Sequence, residues 1–111
     1  MVSVDEVLGL LNDERRRYTL YYLKEQNGAV HIDDVVEAVA EMEADTAAGT
    51  QSVDDLEDIK LTLYHQHLPK TRPLEFVHFN RDNQTIELTD DPAKFDTLLT
   101  VAKVLEQSYD L

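Results

Sequence analysis

The chain has 111 residues, of which 23 are acidic and 10 are lysine or arginine, so its formal net charge is −13 at pH 7. This length predicts a single domain, residues 1–111. The absence of cysteine excludes disulfides, thiolate nucleophiles and zinc–cysteine sites. No apolar run approaches the ~18 residues of a membrane span, and no secretory leader is present, so we expect a cytoplasmic protein without membrane contact.

The acidic residues are dispersed along the chain, and 42% of all residues are hydrophobic. A folded protein with a dispersed acidic surface and few lysines suits a salt-rich cytoplasm, because at ~1 M ionic strength the Debye length is only ~3 Å. We therefore interpret the source as a halophile. An ordinary acidic protein of a mesophile is the alternative.

A short first helix and a second helix are predicted at the start of the chain. Ser3 and Glu6 have the spacing of a capping box, with Ser3 as the N-cap of the first helix. Asn12 is the predicted N-cap of the second helix, which Asn27-Gly28 ends.

A short extended piece and a third helix follow. Residues 29–32 are a candidate third strand beside a later hairpin, and Asp33 is the predicted cap of the third helix. The small and polar residues 44–51 form a connector, after which Ser52 and Asp55 resemble a capping box that opens helix four. The predicted apolar face of the third helix consists of Val35, Val36, Val39 and Met42.

Helix four ends near Pro69, and a β-hairpin follows it. Its strands are predicted at 76–79 and 85–88, with a turn at 80–83 that is rich in asparagine and aspartate. The order of elements predicts a mainly α fold with a small β-hairpin, a winged helix-turn-helix of about five helices and a two- to three-stranded wing. In this fold the helix-turn-helix core covers about 33–70, the wing about 75–89 and a C-terminal dimerisation helix about 92–108.

The last helix is the expected homodimer contact. Asp91 is its predicted N-cap, and Pro92 is predicted at the first helical position. Its apolar stripe is wider than one small domain can cover, so we expect it to pair with a second copy, aided by the first helix. The expected interface residues are Phe95, Leu98, Val101, Ala102 and Leu105.

Two segments resemble a known group of proteins. Residues 10–18, LLNDERRRY, are similar to the opening of ArsR-like winged-helix regulators, and residues 63–70 read LYHQHLPK. Together they resemble a small haloarchaeal winged-helix domain family of unknown function. The resemblance covers almost the whole chain and implies a winged-helix fold, a haloarchaeal source and a role in transcription.

Helix four is the candidate recognition helix. At about 100° per residue its apolar side is predicted to hold Leu56, Ile59, Leu61, Leu63, Tyr64, His67 and Leu68, and its polar face Asp55, Asp58, Thr62, His65 and Gln66. Glutamine, threonine and histidine can contact base edges, whereas the aspartates oppose phosphates. The expected DNA-binding residues are Lys60, Thr62, His65, Gln66, Lys70, Arg72 and, in the wing, Arg81. A solvated helix face is the alternative.

Arg15, Arg16 and Arg17 form the densest basic cluster. Three successive residues span most of a helix circumference, so they cannot form one flat patch. We interpret them as structural, with at least one paired with an acid such as Asp13 or Glu14 or with the last helix. Phosphate contact is the alternative.

No catalytic, metal or cofactor site is predicted. His65 and His67 lie nearly opposite each other on a helix, whereas chelation by a helix needs i,i+4 spacing. The carboxylate pairs stand at helix starts, where capping explains them. Two functions remain open: a homodimeric transcription regulator that binds double-stranded DNA, and a protein–protein interaction module on the same fold.

Overall fold

The computed structural model describes residues 3–26, 28–47, 53–67, 69, 76–89 and 92–108. Within these residues it contains five α-helices and a three-stranded antiparallel sheet, which confirms the predicted fold class. The helices are α1 (Val4–Leu10), α2 (Glu14–Glu25), α3 (Ile32–Ala47), α4 (Val53–Thr62) and α5 (Ala93–Ser108). The strands are β1 (Val30–His31), β2 (Val77–Asn80) and β3 (Thr85–Leu88). A π-helical turn, Leu63–His67, continues α4.

Local capping starts the first two helices. The capping box of α1 is confirmed, because the Glu6 backbone N–H donates to Ser3 Oγ at 3.1 Å and the Ser3 N–H donates to Glu6 Oε1 at 3.4 Å. Asp13, not Asn12, caps α2, and its carboxylate accepts a hydrogen bond from the Arg16 N–H at 3.1 Å. Because α2 begins at Glu14, Asn12 lies one residue too early to cap it.

The start and end of α3 differ from the prediction. Asp33 lies inside the first turn, and its backbone N–H donates to His31 Nδ1 at 3.1 Å, so the imidazole supplies the acceptor expected of the aspartate. The helix continues to Ala47, beyond the predicted start of the connector at residue 44. Alanines at 44 and 47 favour this extension, since alanine has the highest helix propensity. Ser52 lies outside the described residues.

The wing is a three-stranded sheet in the order β1-β3-β2. The predicted third strand is confirmed, since Val30 pairs with Ile86. Asn80 pairs with Thr85, so the turn comprises residues 81–84, one residue later than predicted. Gln84 ends this turn with a φ of 52°, in the left-handed region.

The last helix begins one residue later than predicted. The Asp96 N–H donates to the Pro92 carbonyl at 3.0 Å, and α5 starts at Ala93, so Pro92 stands at the cap position. Asp91, the predicted cap, lies outside the described residues.

One hydrophobic core joins all five helices to the sheet. Its most deeply buried side chains include Val7, Leu20, Ile32, Val35, Val39, Leu63, Ile86 and Phe95. The rings of Phe76, just before the wing, and Phe95, on α5, lie 4.7 Å apart between centroids. The predicted apolar face of α3 is confirmed, with Met42 half-buried at its edge. Among the described residues, no helix is long and apolar enough to cross a membrane.

Candidate nucleic-acid interface

α4 has a buried side, two tethered flanks and an exposed ridge. Ile59 and Leu63 are buried, as predicted, but Leu61 is 57% exposed. The prediction for Leu61 was wrong because it lies about 200° around the helix from Ile59. The exposed ridge consists of Glu57, Leu61 and His65, which are spaced four residues apart and therefore lie on one side of the helix.

Arg15 tethers the first flank of α4 to α2 and α3. Its Nε donates to Glu43 Oε2 at 2.6 Å, its Nη1 donates to Asp58 Oδ2 at 2.9 Å, and Nη1 also reaches Thr62 Oγ1 at 3.4 Å. Burial by itself would lower the pKa of the Arg15 guanidinium. The hydrogen bonds and charges of Glu43 and Asp58 outweigh this effect, so the net shift of the pKa is upward. Thr62, predicted to contact DNA, therefore lies against α2, where its hydroxyl also donates to the Asp58 carbonyl at 2.8 Å.

Lys60 tethers the second flank to the start of α3. Its Nζ donates to Asp33 Oδ1 at 2.9 Å, and this hydrogen bond is the main reason that the pKa of Asp33 is lowered. His31 Nδ1 lies 3.6 Å from the other carboxylate oxygen. The side chain predicted to meet phosphate is thus paired inside the molecule, with 41% of its surface still exposed.

Tyr64, in the π-helical turn, joins the end of α4 to the wing. Its ring stands edge-on to Phe79 with centroids 5.9 Å apart, and its hydroxyl donates to Gln84 Oε1 at 3.4 Å. The Gln84 carbonyl in turn accepts from the Ile32 N–H at 2.9 Å. The strained backbone of Gln84 is therefore held between the wing, α3 and α4.

The other predicted DNA contacts divide into two groups. His65 and Arg81 are exposed, and no carboxylate of the described residues lies within ion-pair distance of Arg81. Lys70, Arg72 and the Gln66 side chain lie outside the described part of the chain. Sequence reasoning missed Glu57 and Leu61 on the exposed ridge, although a four-residue spacing ending at His65 was available as the signal.

The arginine run is structural, as predicted. Arg16 is buried, and its Nε donates to the Leu10 carbonyl at 2.6 Å, which places a positive charge at the C-terminal end of α1. Arg17 Nε donates to Glu106 Oε1 at 2.5 Å, so the last helix, one of the partners left open by the sequence, supplies this acid. Tyr21 also donates to this Glu106 oxygen at 2.6 Å, and burial, followed by this carboxylate, raises the Tyr21 pKa far above its ordinary value.

Most basic groups of the described residues are occupied within the molecule. Apart from Arg81 and Lys94, each described lysine or arginine contacts a carboxylate or, for Arg16, backbone carbonyls. The surface around α4 therefore offers few free cations to a phosphate backbone. In the same part of the chain, no group of three or more histidine and carboxylate side chains could hold a metal ion.

The expected dimer residues do not share one environment. Phe95 is completely buried against the domain's own core, which corrects its assignment to an interface, and Leu98 and Ala102 are half-buried at the edge of that core. Val101 and Leu105 are 49% and 58% exposed, as is the neighbouring Val104 at 57%. Phe95 points inward because it lies one helical turn before the buried Leu99.

Comparison with curated proteins found no match, and comparison with solved structures found none either. A family model described as "Domain of unknown function (DUF7344)" matches residues 8–87, which run from α1 to β3 and include α4 and the wing turn. The match extends over more than half of the chain. The chain therefore belongs to this family of domains of unknown function, DUF7344.

Proposed function

We propose that the protein is a cytoplasmic transcription regulator that binds double-stranded DNA, in a salt-rich cell, through α4 and the wing. The single observation that supports this function most is that α4 exposes one ridge of side chains while its other sides contact the rest of the domain. Arg15 and Lys60 hold the flanks of α4, and Tyr64 holds its end against the wing. A helix fixed in this way beside a hairpin suits insertion into a major groove. The similarity of residues 10–18 to the opening of ArsR-like winged-helix regulators supports the same proposal.

The exposed ridge carries side chains with a defined use against base edges. A leucine at position 61 can pack on a thymine methyl, a glutamate at position 57 can accept from the cytosine amino group, and His65 can reach a base or a phosphate. Arg81 in the wing turn can enter a narrow minor groove. Binding through such base contacts depends less on long-range electrostatic attraction than binding through a row of lysines that contact phosphates.

The net charge of −13 is compatible with this function at high ionic strength. At ~1 M salt the Debye length is ~3 Å, so repulsion between a duplex and distant carboxylates is screened. The same salt weakens phosphate contacts through the loss of counterion release, so a protein in such a cell gains little from a basic surface. Base contacts and shape are left to provide the affinity.

Fluorescence anisotropy on genomic duplex fragments and scrambled duplexes, in KCl at which the fold persists, tests the proposal. We expect Leu61→Ala and His65→Ala to relax the sequence preference by roughly 1–3 kcal/mol per lost base contact. Arg81→Ala should weaken binding to all duplexes alike and flatten the salt slope. Glu41→Gln, on the exposed side of α3, is the control and should bind as wild type. A wild-type protein without preference for any fragment contradicts the proposal.

A protein–protein interaction module is the second candidate. The observation that favours it is the pairing of Arg15, Arg17 and Lys60 with carboxylates of the same chain, which leaves little positive charge for a duplex. Leu61 would then be the apolar centre of a contact with a protein surface. Loss of duplex binding at every KCl concentration that preserves the fold would make this candidate the preferred function.

A further inference from the structure

The first turn of α3 is held by an imidazole. The backbone N–H of Asp33 donates to Nδ1 of His31 at 3.1 Å. Serine, threonine, asparagine and aspartate are the usual side chains in this role, and their oxygens remain acceptors at every physiological pH. An imidazole nitrogen accepts a hydrogen bond only while it has no proton. The acceptor at the start of α3 is therefore one that protonation removes.

The carboxylate of Asp33 offers the same imidazole a second position. Asp33 Oδ2 lies 3.6 Å from His31 Nδ1, which is too long for a hydrogen bond but close enough for an ion pair once the imidazole is charged. The other carboxylate oxygen, Oδ1, accepts from Lys60 Nζ at 2.9 Å. One nitrogen cannot accept from the Asp33 N–H and donate to the Asp33 carboxylate at the same time. The two arrangements of His31 therefore exclude each other, and its proton decides between them.

Asp33 and Lys60 keep their charges in the pH range in which an imidazole titrates. Their mutual hydrogen bond is the main reason that the pKa of Asp33 is lowered and the pKa of Lys60 is raised. Both shifts move these groups further from neutral pH, where an imidazole ordinarily gains its proton. The side chain of His31 is 45% exposed, so protons of the solvent can reach it. A change of pH near neutrality therefore acts on the imidazole and leaves its two charged neighbours unchanged.

The charges around His31 include groups that favour its protonation and one that opposes it. The titratable side chains on the surrounding elements are Asp33 and Asp34 on α3, Lys60 and Tyr64 on α4 and its π-helical continuation, and Glu87 on β3. Thr85 lies opposite His31 in the sheet, and Glu87 is the diagonal neighbour on the same face, about 7–8 Å away. The carboxylates favour the imidazolium, whereas Lys60 opposes it. The Asp33 carboxylate, 3.6 Å away, is the partner that a protonated His31 gains.

We propose that His31 is a pH-dependent switch at the junction of α3, α4 and the wing. When the imidazole gains a proton, it gives up the Asp33 N–H and turns to the Asp33 carboxylate, which then divides its charge between His31 and Lys60. The tether between Asp33 and Lys60 weakens, and Lys60 on the flank of α4 becomes available to an external anion such as a DNA phosphate. The switch itself is independent of DNA, and only this last effect rests on the proposed function.

NMR on the protein without DNA tests the switch, with His31→Asn as the matched variant. An asparagine side chain accepts from the N–H two residues later at every pH and cannot be protonated. Between about pH 8 and about pH 5, where an imidazole titrates, the Asp33 amide resonance of the wild type should shift with the same midpoint as the His31 ring. The shift should vanish in His31→Asn and persist in His78→Asn, which changes an exposed histidine of β2. An Asp33 amide that does not shift, or that still shifts in His31→Asn, would overturn the proposal.

Limited lysine acetylation followed by peptide mass spectrometry measures the release of Lys60. Lys94 on α5 is the internal reference, because no carboxylate of the described residues lies within ion-pair distance of it. The ratio of the Lys60 yield to the Lys94 yield removes the general effect of pH on the reagent. From about pH 8 to about pH 6, this ratio should rise in the wild type and stay constant in His31→Asn. A constant ratio in the wild type would contradict the release of Lys60.

Duplex binding connects the switch to the proposed function. Between about pH 8 and about pH 6, the slope of the logarithm of the binding constant against the logarithm of the salt concentration should steepen more in the wild type than in His31→Asn. The difference should reach up to about 0.9, the value for one additional phosphate contact. Equal changes of slope in the two proteins would overturn the effect of Lys60 on DNA. Absence of duplex binding at both pH values would refute the proposed function, while the NMR and acetylation results would still decide the switch.

Discussion

α3 and α5 are two helices of equal length, 16 residues each. Their inner sides are similarly apolar, whereas their outer sides differ in charge. α3 buries Val35 and Val39, and α5 buries Phe95 and Leu99, because both helices pack on the same core. The exposed side of α3 is acidic, whereas the two acids of α5, Asp96 and Glu106, each pair with a basic side chain of α2. The core thus dictates the inner pattern of both helices, while the charges on their outer sides differ. Four experiments test how the inner and outer sides of these two helices differ.

The largest effect is expected from the removal of salt. Circular dichroism during dialysis from ~3 M to ~0.05 M KCl should show loss of structure, since repulsion among the acids becomes unscreened. Neutralisation of the α3 acids in Asp34→Asn, Glu37→Gln, Glu41→Gln should preserve the fold to lower KCl. Thr100→Asp, which adds an acid to α5, should act in the opposite direction. Equal stability of wild type at both ends of the dialysis would refute the interpretation as a halophilic protein.

The second effect concerns the inner face of α5. Phe95→Ala should lower the free energy of unfolding by about 3–5 kcal/mol, because it removes a fully buried ring that packs on Phe76 and leaves a cavity. Urea titration at constant KCl measures the loss. Thr100→Ala, on the outer face of the same helix, should change the free energy by less than about 0.5 kcal/mol. Similar losses for both variants would show that the two faces of α5 are not distinct.

The third effect concerns the ion pair between Arg15 on α2 and Glu43 on α3. Glu43 is 16% exposed and pairs with Arg15, whereas the exposed Glu41 lies two residues earlier in the same helix and therefore on nearly the opposite side. Arg15→Met should lower the free energy of unfolding by about 1–3 kcal/mol, since it leaves a partly buried carboxylate without its partner. Arg81→Met is the control and should be nearly neutral. A neutral Arg15→Met variant would mean that Arg15 does not hold α4.

The smallest effect concerns the exposed acid Asp33 at the start of α3. The Lys60 hydrogen bond lowers the pKa of Asp33 below its ordinary value of 3.8, so its contribution to stability is present above that value. The contribution is lost as the pH falls through the lowered pKa. In Lys60→Met, NMR titration of the Asp33 carboxyl should give a pKa closer to the ordinary value. An identical titration in wild type and variant would show that the pair does not form in solution.

The sequence alone predicted the features that depend on residues close together in the chain. The capping box of Ser3 and Glu6 joins residues three apart, and the buried face of α3 follows from helical spacing. The hairpin and its third strand were likewise predicted from short extended segments, with an error of one residue in the turn. The structural role of the arginine run followed from its spread around a helix. Such interactions are local, so a short window of sequence contains all the information they need.

Only the tertiary structure decided which groups meet across long separations in the chain. Arg15 pairs with Asp58, 43 residues away, and Arg17 pairs with Glu106, 89 residues away. These pairs turn Thr62 toward α2, and the packing of α5 turns Phe95 inward and leaves Val101 outside. Helical spacing defines the two sides of α4 and α5, but which other elements cover each side depends on how the helices pack. The physical reason is that a side chain's environment is set by neighbours in space, and many of these are distant in sequence.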